Sequence, residues 1–315
     1  MTPRTRSGLV KFRPVRRGSR VALVAPSSPF DRAAFDDGLA ELIKLGLEPV
    51  FDELIFERHP IVAGPATVRA RSLAQAVGRA DVDAVIAVRG GYGSAEVLPL
   101  LSAEVFHQAR TAVVGYSDVT SLHAYLNGHV GLASVHGAMV DGRLSKGPAG
   151  FDAASFLGSL SPAPLGEIAT DAMDVIRPGD ATGPIFGGTL TQIAASLGTP
   201  YAFRPEGAYV LFIEEIKERP YRVRRLLTQC VQSGCLDRVV AVVIGELNGC
   251  DEPGGAFSAE QTLREFFADF PGPVVRGLPS GHTSGPMLSI PFGVDVRVVA
   301  SGERAVVDFR EAAAG

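Results

Sequence analysis

The sequence predicts an α/β fold: an N-terminal, mostly parallel sheet with flanking helices, then a smaller C-terminal α/β domain rich in short strands. Three observations lead there. Apolar runs alternate with segments of helical spacing through the first half, the pattern of crossover units. Those runs are continuous, as strands covered on both faces require. A stretch rich in Gly, Pro, Ala and Ser separates this region from a second one. The expected organisation is a polar leader at 1–17, a domain at 18–140, a linker at 141–183 and a domain at 184–315.

In chain order, RVALVA at 20–25 is a buried strand, and Phe35, Leu39, Leu42 and Ile43 set a helix within 30–46. DAVIAV at 83–88 is a second strand, followed by a short helix at 94–101. Residues 112–116 form a third strand, 119–126 a helix and 132–135 a fourth strand. The linker carries one short helix near 153–160. The second unit opens on Gly187-Gly188, with a helix at 189–197, a strand at 209–213 and an amphipathic helix at 221–235. A very apolar strand at 239–247 precedes a helix at 258–270, for which Ser258 is the N-cap. From Met287 onward short strands are expected, with a hairpin turn at 301–304.

Composition narrows the partners. A net charge of −4 without a long basic block argues against nucleic acid or an anionic membrane. No apolar run approaches the roughly 18 residues of a membrane span. The N-terminus is basic but lacks the apolar centre of a signal peptide, so a cytoplasmic protein is expected, with Arg13, Arg16, Arg17 and Arg20 solvated. The three cysteines, Cys230, Cys235 and Cys250, form no C-x-x-C and have no histidine near in sequence. That disfavours a disulfide framework or a zinc site.

Two strand exits carry candidate chemistry. After DAVIAV comes Arg89-Gly90-Gly91-Tyr92-Gly93. A dinucleotide fingerprint fails there, because Glu96 stands where a third small residue must pack. What survives is a loop of small residues whose N–H groups, at a helix start, suit negative charge; a plain tight turn accounts for it equally. After the third strand comes Gly115-Tyr116-Ser117-Asp118. A serine on such a turn is lifted from the sheet, and the next N–H points at whatever it attacks. Val119 replaces the glycine usual two residues on, and a simple helix cap at Ser117 or Asp118 is the competing reading.

A nucleophilic serine requires a base. Of six histidines, His282, in a Ser/Gly-rich loop, is the first candidate, and His136, at a strand end, the second. Glu214 and Glu215 end the strand LFI, where acids rarely stand without a partner. They point to opposite faces, so at most one orients the base; ion pairing with Lys217, Arg222 or Arg224 is the alternative.

These residues belong to a longer series: VALVAPSSP at 21–29, AVRGGYGS at 87–94, VVGYSDVT at 113–120, HGAM at 136–139, GPIFGGTLT at 183–191, FIEEIKERPYRVRRLL at 212–227, VVIGEL at 242–247 and LPSGHTSGPMLSIPFG at 278–293. In this order they resemble the LD-carboxypeptidases, serine peptidases that act on muramoyl tetrapeptides and include microcin C immunity peptidases. The resemblance implies catalytic Ser117, Glu214 and His282, and so selects Glu214 over Glu215. It implies an oxyanion hole from the N–H groups of Asp118 and Gly91, two domains with the site between them, and a homodimer. Arg89, Gly90 and Tyr92 are expected to bind substrate, Arg89 by gripping a free carboxylate. The expected reaction releases D-alanine from murein tetrapeptide in cytoplasmic peptidoglycan recycling, with no metal or organic cofactor. A peptidyl-nucleotide or acyl-amino-acid substrate, or a non-catalytic binding module, are the alternatives. Two departures from the resemblance stand out: Glu215 is found where it leads one to expect Asp, and Thr283-Ser284-Gly285-Pro286 is longer before the proline than expected. Both differences bear on specificity.

Overall fold

The structure, a computed structural model, describes residues 2–255, 257–302 and 304–315. Fourteen strands among the described residues form two sheets. The first contains β1 (Arg20–Val24), β2 (Glu48–Val50), β3 (Ala84–Ala87), β4 (Ala112–Gly115) and β5 (Ser134–His136). The second draws on β6 (Gly166–Ile168), β7 (Asp174–Arg177), β8 (Gly179–Thr189), β9 (Tyr209–Ile216), β10 (Val239–Asn248) and β11 (Val274–Arg276). The chain then returns to the first sheet with β12 (Ile290–Phe292) and ends in the second with β13 (Asp295–Ser301) and β14 (Arg304–Phe309).

The first sheet has the order β12-β5-β4-β3-β1-β2, parallel except for β12. Its helices are α1 (Arg32–Lys44), α2 (Ala66–Gly78), α3 (Ser94–Val97), α4 (Ala103–Ala109) and α5 (Thr120–Tyr125). Every residue of β3 and β4 is buried, which is why these strands read as unbroken apolar runs. The side chain of Asp31 starts α1 by accepting the N–H of Ala34. The second sheet, β6-β14-β13-β8-β9-β10-β11-β7, has a parallel centre, β8 to β11, with antiparallel strands outside it. After α6 (Ala153–Ser159), its helices are α7 (Leu190–Ser196), α8 (Pro220–Gln232) and α9 (Ala259–Phe266). Ser258 and Gln261 close a capping box at the start of α9. One apolar core runs through the first sheet into the inner faces of β8, β9 and β13; a second lies under α7, α8 and α9.

Several expectations change. The N-terminal segment is not a free leader: Val10 and Phe12 are fully buried and bridge to Leu132 and Ala314. Three buried apolar residues in this segment, Val10, Phe12 and Val15, suffice for the anchoring, and Arg13 donates to the carbonyls of Ala80 and Val82. The stretch 141–183 carries the expected short helix, α6, but also β6, β7 and the first half of β8, because short half-exposed edge strands leave little apolar signal. The tail is also divided: Ile290 and Phe292 pair with His136 and Ser134, so β12 covers the open edge of β5. Ser301 pairs with Arg304 across the expected hairpin, whose Glu303 lies outside the described residues. Among the described residues no helix is long and apolar enough to cross a membrane.

Candidate active site

β4 delivers Ser117. The strand ends at Gly115, Tyr116 is extended, and Ser117 turns to φ +62°. Left-handed backbone is uncommon for a residue with a Cβ and marks a position held by its surroundings. Those surroundings are tight. A Cβ on Gly90 would lie 2.9 Å from the Cβ of Ser117, so only glycine lets the neighbouring loop approach this closely. Asp118 locks the turn: its carboxylate accepts the N–H of Ser94 at 2.7 Å, and its carbonyl accepts the Ser94 hydroxyl. Burial raises the Asp118 carboxyl above its ordinary value, opposed by the hydrogen bonds it accepts.

The glycine loop is equally fixed. Gly91 and Gly93 sit at φ +99° and +124°. Ser28 accepts the N–H of Tyr92 at 3.0 Å and donates its own N–H to the carbonyl of Gly90 at 3.2 Å. Arg69, a buried side chain the sequence reading overlooked, donates to the carbonyls of Gly93 (2.7 Å), Gly64 (3.0 Å) and Pro26 (2.5 Å). Among the described residues the N–H groups of Gly91 and Asp118 meet no acceptor. Arg89 donates to the carbonyl of Pro29 at 3.1 Å and lies 3.6 Å from Asp141, contacts that brace the loop. Tyr92 is exposed.

β9 delivers the carboxylates to opposite faces. Glu215 accepts the N–H and hydroxyl of Thr191, at 2.8 and 2.6 Å, and so caps α7. Glu214 is buried, and its Oε2 accepts both the backbone N–H of His282 (2.9 Å) and Nδ1 (2.7 Å). The hydroxyl of Thr189 donates to its Oε1. Burial alone would raise this carboxyl; the hydrogen bond and charge of His282, with His136 and Thr189, outweigh it and hold Glu214 below its ordinary value. An ionised Glu214 places the imidazole proton on Nδ1 and leaves the lone pair on Nε2.

The His282 loop is well held. Its carbonyls at Gly281, Thr283 and Gly285 accept from Arg143, and that of His282 accepts from Asn248 at 2.7 Å. Gly281 sits at φ +91°, where a Cβ would come within 2.5 Å of the carboxyl carbon of Glu214. The imidazole meets the ring of Tyr116 edge-on, with centroids 5.1 Å apart. The structure therefore joins His282 to Glu214 and sets the pair against the residue before Ser117. Among the described residues no hydrogen bond reaches the Ser117 hydroxyl. His136, the second candidate base, is fully buried among Phe212, Phe292, Tyr116 and His123, with neither ring nitrogen bonded. Burial first, then the neighbouring histidines, pull its pKa down to about 3 against the field of Glu214, so it stays neutral. His123 is likewise pulled to about 4 by burial, and bonds Gly115 and Ser134.

Residues 21–137 match the LD-carboxypeptidase N-terminal domain and residues 182–298 the LD-carboxypeptidase C-terminal domain. The chain is thus a hydrolase of the peptidase class. More narrowly, it belongs to the LD-carboxypeptidase family. It is 29% identical to the murein tetrapeptide carboxypeptidase of Pseudomonas aeruginosa over 270 residues, 84% of this chain and 88% of that protein. The muramoyltetrapeptide carboxypeptidase from Oxalobacter formigenes superposes with a TM-score of 0.82 at 27% identity, covering 93% of this chain and 99% of that one. The wild-type microcin C7 self-immunity protein MccF shares the fold, with a TM-score of 0.88 at 20% identity over 97% of this chain and all of that one.

Proposed function

We propose that the chain is a serine LD-carboxypeptidase that removes the terminal D-alanine of murein tetrapeptide, as a homodimer in cytoplasmic peptidoglycan recycling. The observation that carries this is the pairing of buried Glu214 with His282 beside Tyr116-Ser117, with Ser117 on a left-handed turn. Ser117 attacks the amide carbonyl, and Nε2 of His282 takes its proton. Glu214 holds the tautomer and stabilises the imidazolium that forms. The free N–H groups of Gly91 and Asp118 receive the oxyanion, each contributing about 3–4 kcal/mol to the transition state. The imidazolium then protonates the departing D-alanine nitrogen, and water, deprotonated by His282, releases the shortened peptide. Arg89, beside Gly90 and Tyr92, is the proposed reader of the substrate's free carboxylate.

Incubation with murein tetrapeptide and mass analysis tests the proposal, with loss of one D-alanine expected. Ser117→Ala should abolish that loss while leaving the fold and Tm near wild type. Full turnover by Ser117→Ala would remove the serine mechanism. An aminoacyl sulfamoyl adenosine in parallel separates the peptidyl-nucleotide alternative, since cleavage of it alone would displace the murein substrate.

A further inference from the structure

Arg143 lies in the stretch between the two halves of the chain, where no local pattern marks it out. Its side chain is buried, yet no carboxylate among the described residues lies within ion-pair distance. Its donors go to carbonyls instead. Nη2 donates to Gly281 at 2.8 Å and Thr283 at 3.1 Å; Nη1 donates to Gly285 at 3.2 Å and Gly150 at 3.4 Å. Nε donates to the hydroxyl of Tyr116 at 3.3 Å, and the guanidinium carbon lies 5.7 Å from that ring's centre. A buried cation is costly unless its hydrogen bonds are filled. Here three of the carbonyls that fill them belong to the loop that carries His282.

The peptide unit between Gly281 and His282 shows what this achieves. Its carbonyl faces the Arg143 cation, while its N–H donates to the Glu214 anion at 2.9 Å. The peptide dipole lies head to tail between two opposite charges, and both charges are buried. The following carbonyl, of His282 itself, is held by Asn248. The backbone is therefore pinned on both sides of the imidazole. The same guanidinium reaches Tyr116, whose ring abuts the imidazole and whose next residue is Ser117.

We propose that Arg143 is a positioning residue that sets the place of His282 relative to Ser117. This rests on the reading of His282 as the base. Lysine is a poor substitute, because a single ammonium lacks the planar fork that serves several carbonyls at once. Loss of the fork lets His282 drift, and misplacement by about 1 Å costs about 100-fold in rate.

The test compares wild type, Arg143→Lys and Arg143→Ala by kcat and KM on murein tetrapeptide. It adds the low-field imidazole N–H resonance of protein labelled with ¹⁵N-histidine, and both readouts with and without guanidinium at non-denaturing concentration. For Arg143→Ala, kcat should fall about 100-fold with KM within about threefold. Its low-field resonance should broaden or vanish, and added guanidinium should restore part of both. Arg143→Lys should retain the fold and lose about 10-fold in kcat. Unchanged kcat with an intact resonance in either variant overturns the proposal, as does a rise in KM alone, which would make Arg143 a substrate contact. Should Arg143→Ala not fold, Arg143→Lys decides by the same criteria. Should wild type leave the tetrapeptide intact, the reading of function fails, and the resonance still decides whether Arg143 positions His282.

Discussion

Replacing Ser117 by alanine and by glycine asks whether this turn stores backbone strain. At φ +62° a residue with a Cβ costs about 1–2 kcal/mol relative to glycine. Glycine also loses more unfolded-state entropy on folding, about 0.4–1 kcal/mol against alanine. The difference leaves Ser117→Gly about 1 kcal/mol more stable than Ser117→Ala. At an ordinary loop position the order would be reversed. The Ser117 Cβ lies against Gly90, and removing it forfeits little, because nothing larger than a methylene is withdrawn. Urea denaturation of the two variants, neither of which is expected to turn over substrate, reads the difference directly. A shift of about 1 kcal/mol corresponds to about 2 °C in Tm for a protein of this size. If glycine proves the less stable variant, the turn is not strained in solution, and the argument that the fold forces this serine out of its strand is refuted.

Gly281→Ala should place a methyl against the carboxyl of Glu214 in a left-handed backbone, lowering kcat by about 100-fold or more and stability by about 1–3 kcal/mol; near-normal kinetics would show that the Glu214–His282 contact tolerates displacement. The acid side of the stability profile should depend on His136, whose pKa is about 3 in the folded chain and about 6.5 when unfolded. Its contribution is therefore fully present above pH 6.5 and lost as pH falls toward 3. His136→Phe, which suits the surrounding rings, should flatten the decline between about pH 6 and pH 4 by about 1.4 kcal/mol per pH unit in urea titrations. Parallel profiles for the two proteins would mean that His136 is not buried neutral.

The legible parts of this protein are those where one physical signal dominates. Ala112–Gly115 reads as a strand because all four residues are buried, and a serine just beyond such a strand is conspicuous. Glu214 stands out as an acid ending a buried run, although its choice over Glu215 needed the family resemblance; only the structure shows Glu215 capping α7. What stayed hidden depends on distant contacts. Helix α2 has a weak apolar stripe because Arg69 faces inward, and its donors are satisfied by three loop carbonyls and the Glu96 carboxylate, partners no local pattern announces. Arg143 stands in a Gly- and Pro-rich stretch that reads as surface, yet its partners lie as many as 142 residues away.

The path of the chain around His282 bears on how the site can work. The loop leaves β11, a strand of the second sheet, and runs directly into β12, which pairs with β5 beside β4 in the first. One end of the loop is thus hydrogen-bonded to the sheet of Glu214, the other to the sheet of Ser117. Arg143 ties its middle to Tyr116, and Thr189, at the end of β8, donates its N–H to Thr120 and its hydroxyl to Glu214. A relative shift of the two sheets cannot leave His282 behind with either one; it must stretch the loop or break these bonds. The fold therefore fixes the place of His282 relative to both sheets through bonds that exist before any substrate arrives. Ser117, held in left-handed backbone, fits that rigidity, since strain at one residue persists only where the surrounding structure enforces it.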